Sequence, residues 1–178
     1  PNVVKKIKEK SLNGINVTLP YKQKIIRYLD RIINDAEIAG SVNTLLVDRD
    51  GLIIGENTDV FGIQAAYLKE IDTRLTKKVL IIGAGGVSPS VILSLQKSGI
   101  KNISIINRTQ EKCLFLKKKF SFLNVLSWKN LQLEIAKFDI IINATSAGLN
   151  EKDEINIDYK SISQNKFFYD VVYNPKET

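Results

Sequence analysis

The sequence predicts an α/β chain in two parts, and three observations carry that expectation. Residues 77–109 read as strand, glycine-rich turn, helix and strand in immediate succession. Strand and helix patterns keep alternating from there onward, which implies a parallel sheet with helices on both faces. A shorter, differently patterned α/β segment precedes this unit, and the polar residues 70–76 fall between the two. The parts are therefore expected at residues 1–72 and 73–178.

In chain order, residues 1–10 read as the end of a helix, with Val3, Val4 and Ile7 at helical spacing. Residues 14–19 (GINVTL) are strand-like and stop at Pro20, and residues 21–29 are expected as an amphipathic helix. Residues 34–39 form a short helix ended by Gly40. The runs 44–47 and 52–54 flank Asp50-Gly51, a hairpin signal. Residues 60–69 are helical. In the second part, 79–82 (VLII) is a strand buried on both faces. A helix follows from residue 87, with Pro89 in its first turn and Gly99 at its end. Strand 103–106, helix 110–120, a short strand near Val125, helix 131–136, strand 138–142 and strand 167–172 complete the pattern.

The glycine-rich turn is the first functional signal. Gly83, Ala84, Gly85 and Gly86 connect a strand to a helix, the context that a dinucleotide fingerprint needs. Gly83 permits the tight turn, Gly85 lets the backbone approach a pyrophosphate, and the helix N-terminus favours an anion there. Ser88 stands where the usual pattern has a third glycine, and it is small enough for close helix–strand packing. The second strand ends in Asn107-Arg108-Thr109, without the carboxylate that holds the ribose 2′-OH of NAD. Arg108 offers a planar fork and Thr109 a hydroxyl, both suited to a phosphate, which favours NADP.

Composition sets limits. The chain has 178 residues, 44% hydrophobic and 25% charged, an ordinary globular balance. There is no histidine, so a general base must be Lys, Asp, Glu or Tyr, and no metal is expected. The single cysteine, Cys113, rules out an internal disulfide framework, fits a reducing cytoplasm and reads as a packing residue. The net charge of +7 is spread along the chain and suits an anionic substrate and cofactor. Nucleic-acid binding would need a basic stripe with interleaved aromatics, and none is present. No apolar run reaches membrane-spanning length.

Three polar clusters in the first part fall at strand ends or loops: residues 16–22, 41–44 and 57–59. Their Asn and Thr side chains suit a polyhydroxylated ligand. Lys22 and Asp59 offer a base and a carboxylate partner. Taken singly, each also reads as ordinary turn or helix-start chemistry.

Taken together and in order, GINVTLPYK (14–22), GSVNTL (40–45), GENTD (55–59), GAGGVS (83–88), NRT (107–109), NATSAG (143–148) and DVVYNPKET (170–178) resemble the shikimate dehydrogenase family. The resemblance implies a substrate domain followed by a Rossmann-like NADP-binding domain. It implies reversible, NADP-dependent interconversion of 3-dehydroshikimate and shikimate in the route to aromatic amino acids. Lys22 and Asp59 would be the catalytic pair. Asn16, Thr18, Asn43 and Asp59 would hold substrate hydroxyls, with Tyr173 approaching from the second domain. Gly83, Ala84, Gly85, Gly86, Asn107, Arg108, Thr109, Thr145 and Ser146 would hold the cofactor. The expected partner is the small-molecule substrate, with neither nucleic acid nor membrane, in a cytoplasmic monomer or homodimer. The family's N-terminal Ser-rich carboxylate motif and its C-terminal segment with a substrate-binding Gln are absent, so the chain is expected to lack both ends. Two other readings stand beside this one: a quinate/shikimate dehydrogenase of broader specificity, and a non-catalytic dinucleotide-binding module.

Overall fold

The computed structural model describes residues 2–67, 77–149, 153–163 and 165–173. The expected break at residues 70–76 lies outside them. The first unit contains α1 (Asn2–Lys8), β1 (Gly14–Asn16), β2 (Arg31–Ile32), α2 (Asp35–Ala39), β3 (Thr44–Val47), β4 (Ile53–Glu56) and α3 (Asp59–Tyr67). Its sheet runs β1-β3-β4-β2. β3 and β4 form the expected antiparallel hairpin. Asp48 Oδ1 accepts the Asp50 and Leu52 N–H groups across that turn, and Gly51 takes φ +82°. Val4, Ile7, Ala36, Leu45 and Ile53 form the core beneath the sheet.

Two expectations fail in this unit. β1 ends at Asn16 rather than running to Leu19, and the segment after Pro20 is no α-helix. It holds turns and a 3-10 helix, Ile26–Tyr28. The Lys22 carbonyl, which a continuing helix would direct to residue 26, instead accepts the Val42 N–H at 2.8 Å. Apolar spacing alone cannot register that competing tertiary bond. The two-residue β2, parallel to β4, is too short to leave a pattern.

The second unit contains β5 (Lys78–Ile82), α4 (Ser88–Lys97), β6 (Asn102–Ile106), α5 (Gln110–Lys119), β7 (Asn124–Leu126), α6 (Leu131–Ile135), β8 (Ile140–Asn143) and β9 (Phe167–Asp170). The sheet order is β7-β6-β5-β8-β9, and every neighbouring pair is parallel. The strand pleat sorts its residues between two cores. Val79, Ile81, Ile103 and Ile105 pack under α4 and α5. Leu80, Ile82, Ile106 and Ile141 pack under α6 and Ile162. The sheet is thus covered on both faces, which explains its unbroken apolar strands. Cys113 is fully buried in the first of these cores, and burial pushes its thiol up to about 11, so it stays protonated and inert near neutral pH. Among the described residues no helix is long and apolar enough to cross a membrane.

Candidate active site

All five parallel strands point their carboxyl ends at one cleft of about 670 Å³. This is where the topology of an open parallel sheet puts a ligand, at the point where strand order reverses between β5 and β8. Gly83 leaves β5 at φ +112°, and a Cβ there would lie 2.8 Å from the Ala144 carbonyl carbon. Only glycine suits that backbone and that contact. Ser88 staples the turn. Its Oγ donates to the Gly83 carbonyl at 3.0 Å and accepts the Gly85 N–H at 2.9 Å. Asn107 joins the turn to β6, accepting the Ala84 N–H at 3.2 Å and donating to the Thr109 carbonyl at 2.9 Å. Ala84, Gly85 and Gly86 line the cleft.

Arg108 and Lys112 also line it. The Arg108 side chain is 74% exposed and stands 4.0 Å from Asp153, a loose surface pair. Lys112, in the first turn of α5, was not among the residues predicted from sequence. Its signal was the four-residue step from Arg108, which brings a second cation to the same strand end. Trp128, just past β7, is a second cleft residue that sequence reasoning missed. Thr109 caps α5 in an extended conformation and is not among the cleft residues. Thr145 and Ser146 are in the cleft. The Thr145 hydroxyl donates to Asn143 Oδ1 at 2.7 Å and accepts the Ala147 N–H at 2.9 Å, holding the loop after β8 closed.

The first unit supplies the facing wall. Lys22 Nζ lies 2.7 Å from Asp59 Oδ2, with the two side chains 14% and 21% exposed. Asn43 Nδ2 donates to the other carboxylate oxygen at 2.8 Å, and Asn43 Oδ1 accepts the Thr58 N–H at 2.9 Å. Asp59 opens α3, where the helix dipole favours its negative charge. Lys22, Asp59, Thr18 and Thr58 line the same cleft as the glycine-rich turn. A Cβ on Gly86 would lie 3.8 Å from Lys22 Cβ, so turn and amine are direct neighbours. Tyr173, 92% exposed, lines the cleft from the second unit. Asn16 is placed differently. It sits at the end of β1 opposite Thr44 and, like Asn43, is not among the cleft residues.

The two units meet along α4. Ala39, Val60 and Leu93 form a small shared core. Ser41 Oγ donates to the Gly86 carbonyl at 2.9 Å, and Asn57 Nδ2 donates to Ser41 O at 2.7 Å and Ser90 Oγ at 2.8 Å. Lys97 and Asp35 pair at 2.9 Å on the rim.

Fold and site define a class: a two-unit α/β chain in which a Rossmann-type sheet faces a Lys–Asp pair across one cleft. The family model described as Shikimate / quinate 5-dehydrogenase matches residues 66–176, and that described as Shikimate dehydrogenase substrate binding domain matches residues 1–45. The chain belongs to the shikimate / quinate 5-dehydrogenase family. It is 48% identical over 172 residues to a protein of Pelagibacter ubique named shikimate dehydrogenase (NADP(+)), covering 97% of this chain and 63% of that one. The crystal structure of shikimate dehydrogenase from Aquifex aeolicus superposes with a TM-score of 0.85 at 35% identity, over 97% of this chain and 63% of that chain. A Thermus thermophilus shikimate 5-dehydrogenase solved with NADP(H) and shikimate gives a TM-score of 0.81 at 27% identity, over 98% and 64%. The chain thus spans somewhat less than two thirds of each of these relatives.

Proposed function

We propose that this protein catalyses the reversible NADPH-dependent reduction of 3-dehydroshikimate to shikimate. Residues 1–72 hold the substrate and residues 73–178 the NADP. The observation that carries this reading is the shared cleft: the Lys22–Asp59 pair lies against the turn expected to bind the cofactor. The names of the relatives agree with it.

The residues present fit a dinucleotide. The Gly83 conformation and its close contact with Ala144 admit no side chain, leaving bare backbone at the mouth of the cleft. Arg108 and Lys112 stand at the end of β6, where a ribose 2′-phosphate would lie, and Thr145 and Ser146 form the opposite lip. Bound there, the nicotinamide ring would supply or take the hydride. The chain's own residues handle the proton. In the reducing direction the Lys22 ammonium donates to the carbonyl oxygen, and in the oxidising direction the Lys22 amine takes the proton from the hydroxyl. Asp59 holds the Lys22 nitrogen by Oδ2, while Asn43 fixes Oδ1, so the carboxylate cannot turn away. Thr18 offers a hydrogen bond to the ring hydroxyls, with Asn43 and Asn16 beside it and Tyr173 across the cleft.

Steady-state assay of the protein with shikimate and NADP⁺ tests the reading, and turnover is expected. Lys22→Ala should lower kcat by roughly 10²–10⁴-fold, the range for general acid–base catalysis, with a smaller effect on KM. Asp59→Ala should also lower kcat, and the double variant should lose less than the product of the two. Near-normal kcat with a large rise in KM would move Lys22 from proton transfer to substrate binding.

A further inference from the structure

Ser41, Val42 and Asn43 are consecutive, and each grips a different part of the site. Ser41 Oγ holds the glycine-rich turn through the Gly86 carbonyl at 2.9 Å. The Val42 N–H holds the Lys22 carbonyl at 2.8 Å. Asn43 holds the Asp59 carboxylate at 2.8 Å. Asn57 locks this segment onto both units. One Nδ2 hydrogen goes to Ser41 O at 2.7 Å, within the first unit, and the other goes to Ser90 Oγ at 2.8 Å, on α4 of the second. Its Oδ1 accepts the Val60 N–H at 3.3 Å, in the first turn of the helix that Asp59 opens. Ser41 and Ser90 are fully buried, and Asn57 is 5% exposed.

Interior polar groups in such a network are directional, because the interior provides no water to replace a broken bond. Neither the Asn57 nor the Ser90 side chain lines the cleft, and nor does that of Ser41. We propose that the buried Ser41–Asn57–Ser90 bridge is a positioning device, setting the distance and angle between the glycine-rich turn and the Lys22–Asp59 pair. This inference rests on the dehydrogenase reading and adds residues to its machinery. Hydride transfer requires donor and acceptor atoms about 3–3.5 Å apart and aligned, and a displacement of about 1 Å can cost about 10²-fold in rate. A bridge joining the two walls of the cleft controls that displacement without touching either ligand.

Two variants test it. Ser41→Ala removes the hydroxyl to Gly86 and leaves the backbone acceptor of Asn57 in place. Ser90→Ala removes the anchor on α4 from the other side. Each is assayed in both directions, with folding checked by circular dichroism and the deuterium isotope effect measured with shikimate labelled at the reacting carbon. Ser41→Ala is expected to lower kcat about 5–20-fold with both KM values within about twofold, since the loss falls on the transition state. The isotope effect on kcat should rise as hydride transfer becomes slower than product release. Ser90→Ala should change both in the same direction by less. Folded variants that keep kcat and the isotope effect of the parent would make the bridge structural only and overturn the proposal. An unsubstituted protein that turns over no shikimate would instead sink the dehydrogenase reading itself.

Discussion

On the proposed reading, Arg108 is the residue on which cofactor choice turns. It is mostly exposed, and its carboxylate neighbour Asp153 stands at 4.0 Å, so the fold owes it little. A 2′-phosphate at the end of β6 would give its guanidinium a two-pronged, doubly charged partner. Arg108→Ala should therefore weaken NADP binding by about 1.5–3 kcal/mol, the range for a hydrogen bond to a charged group, and hardly change NAD binding. Calorimetric titration with each cofactor checks this, and equal losses for both would show Arg108 to be structural. Lys112, in the same cleft, is a second cation whose removal should act in the same direction. The position of the Asn107-Arg108-Thr109 run at a strand end was legible because it follows an unbroken apolar strand of the parallel sheet. Within that run Thr109 is the N-cap of α5, and its carbonyl accepts from Asn107. Ser88 was read only as a small residue, whereas its hydroxyl ties Gly83 to Gly85. Size can be read from a sequence, but the partner of a hydroxyl cannot.

At the scale of elements, the strand–turn–helix from β5 to α4 depends on Gly83 twice, for its φ of +112° and for its contact with Ala144. Gly51, at the tip of the β3–β4 hairpin, has φ +82° with nothing near its Cβ position. Comparing the two separates backbone strain from crowding. Gly51→Ala should cost about 1 kcal/mol from conformation alone. Gly83→Ala should cost about 2–5 kcal/mol, adding overpacking to strain. Denaturant midpoints measure both, and equal losses would mean that the Ala144 carbonyl moves aside freely. This contrast also explains what could be read in advance. The parallel sheet announced itself because its strands are buried on both faces and so are written in unbroken Val, Leu and Ile. The segment after Pro20 carried a helical spacing of apolar residues, yet Val42 takes the carbonyl that would have continued the helix. Its Ile25, Ile26 and Leu29 pack against the first unit's core from the short 3-10 helix and its two ends instead. Periodicity records which residues are buried and not which backbone bond buries them.

For the whole molecule, the question is whether the two units act as one. Their junction joins side chains far apart in sequence: Ala39, Val60 and Leu93 in contact, Ile63 packed into the second unit's core, and Ser41, Asn57 and Ser90 hydrogen-bonded beside them. Such pairings leave no local pattern, so the sequence showed two units without showing what joins them. The structure puts buried apolar contact and buried polar bonds at the same junction, and unfolding either unit alone would expose both. A single cooperative transition is therefore expected. Trp128, the sole tryptophan, lies just past β7, so its fluorescence follows the second unit, while far-UV circular dichroism follows both. The two signals should share one denaturant midpoint. Leu93→Ala should lower stability by about 2–5 kcal/mol and displace the two signals together. NADP at about one hundred times its dissociation constant should add about 2.7 kcal/mol, again to both signals, although by the proposed assignment it binds the second unit. An early circular-dichroism phase that ignores NADP while the Trp128 signal shifts would show the first unit melting alone. The junction would then be too weak to fix Lys22 and Asp59 against the glycine-rich turn, and closure on the ligands would have to supply that alignment.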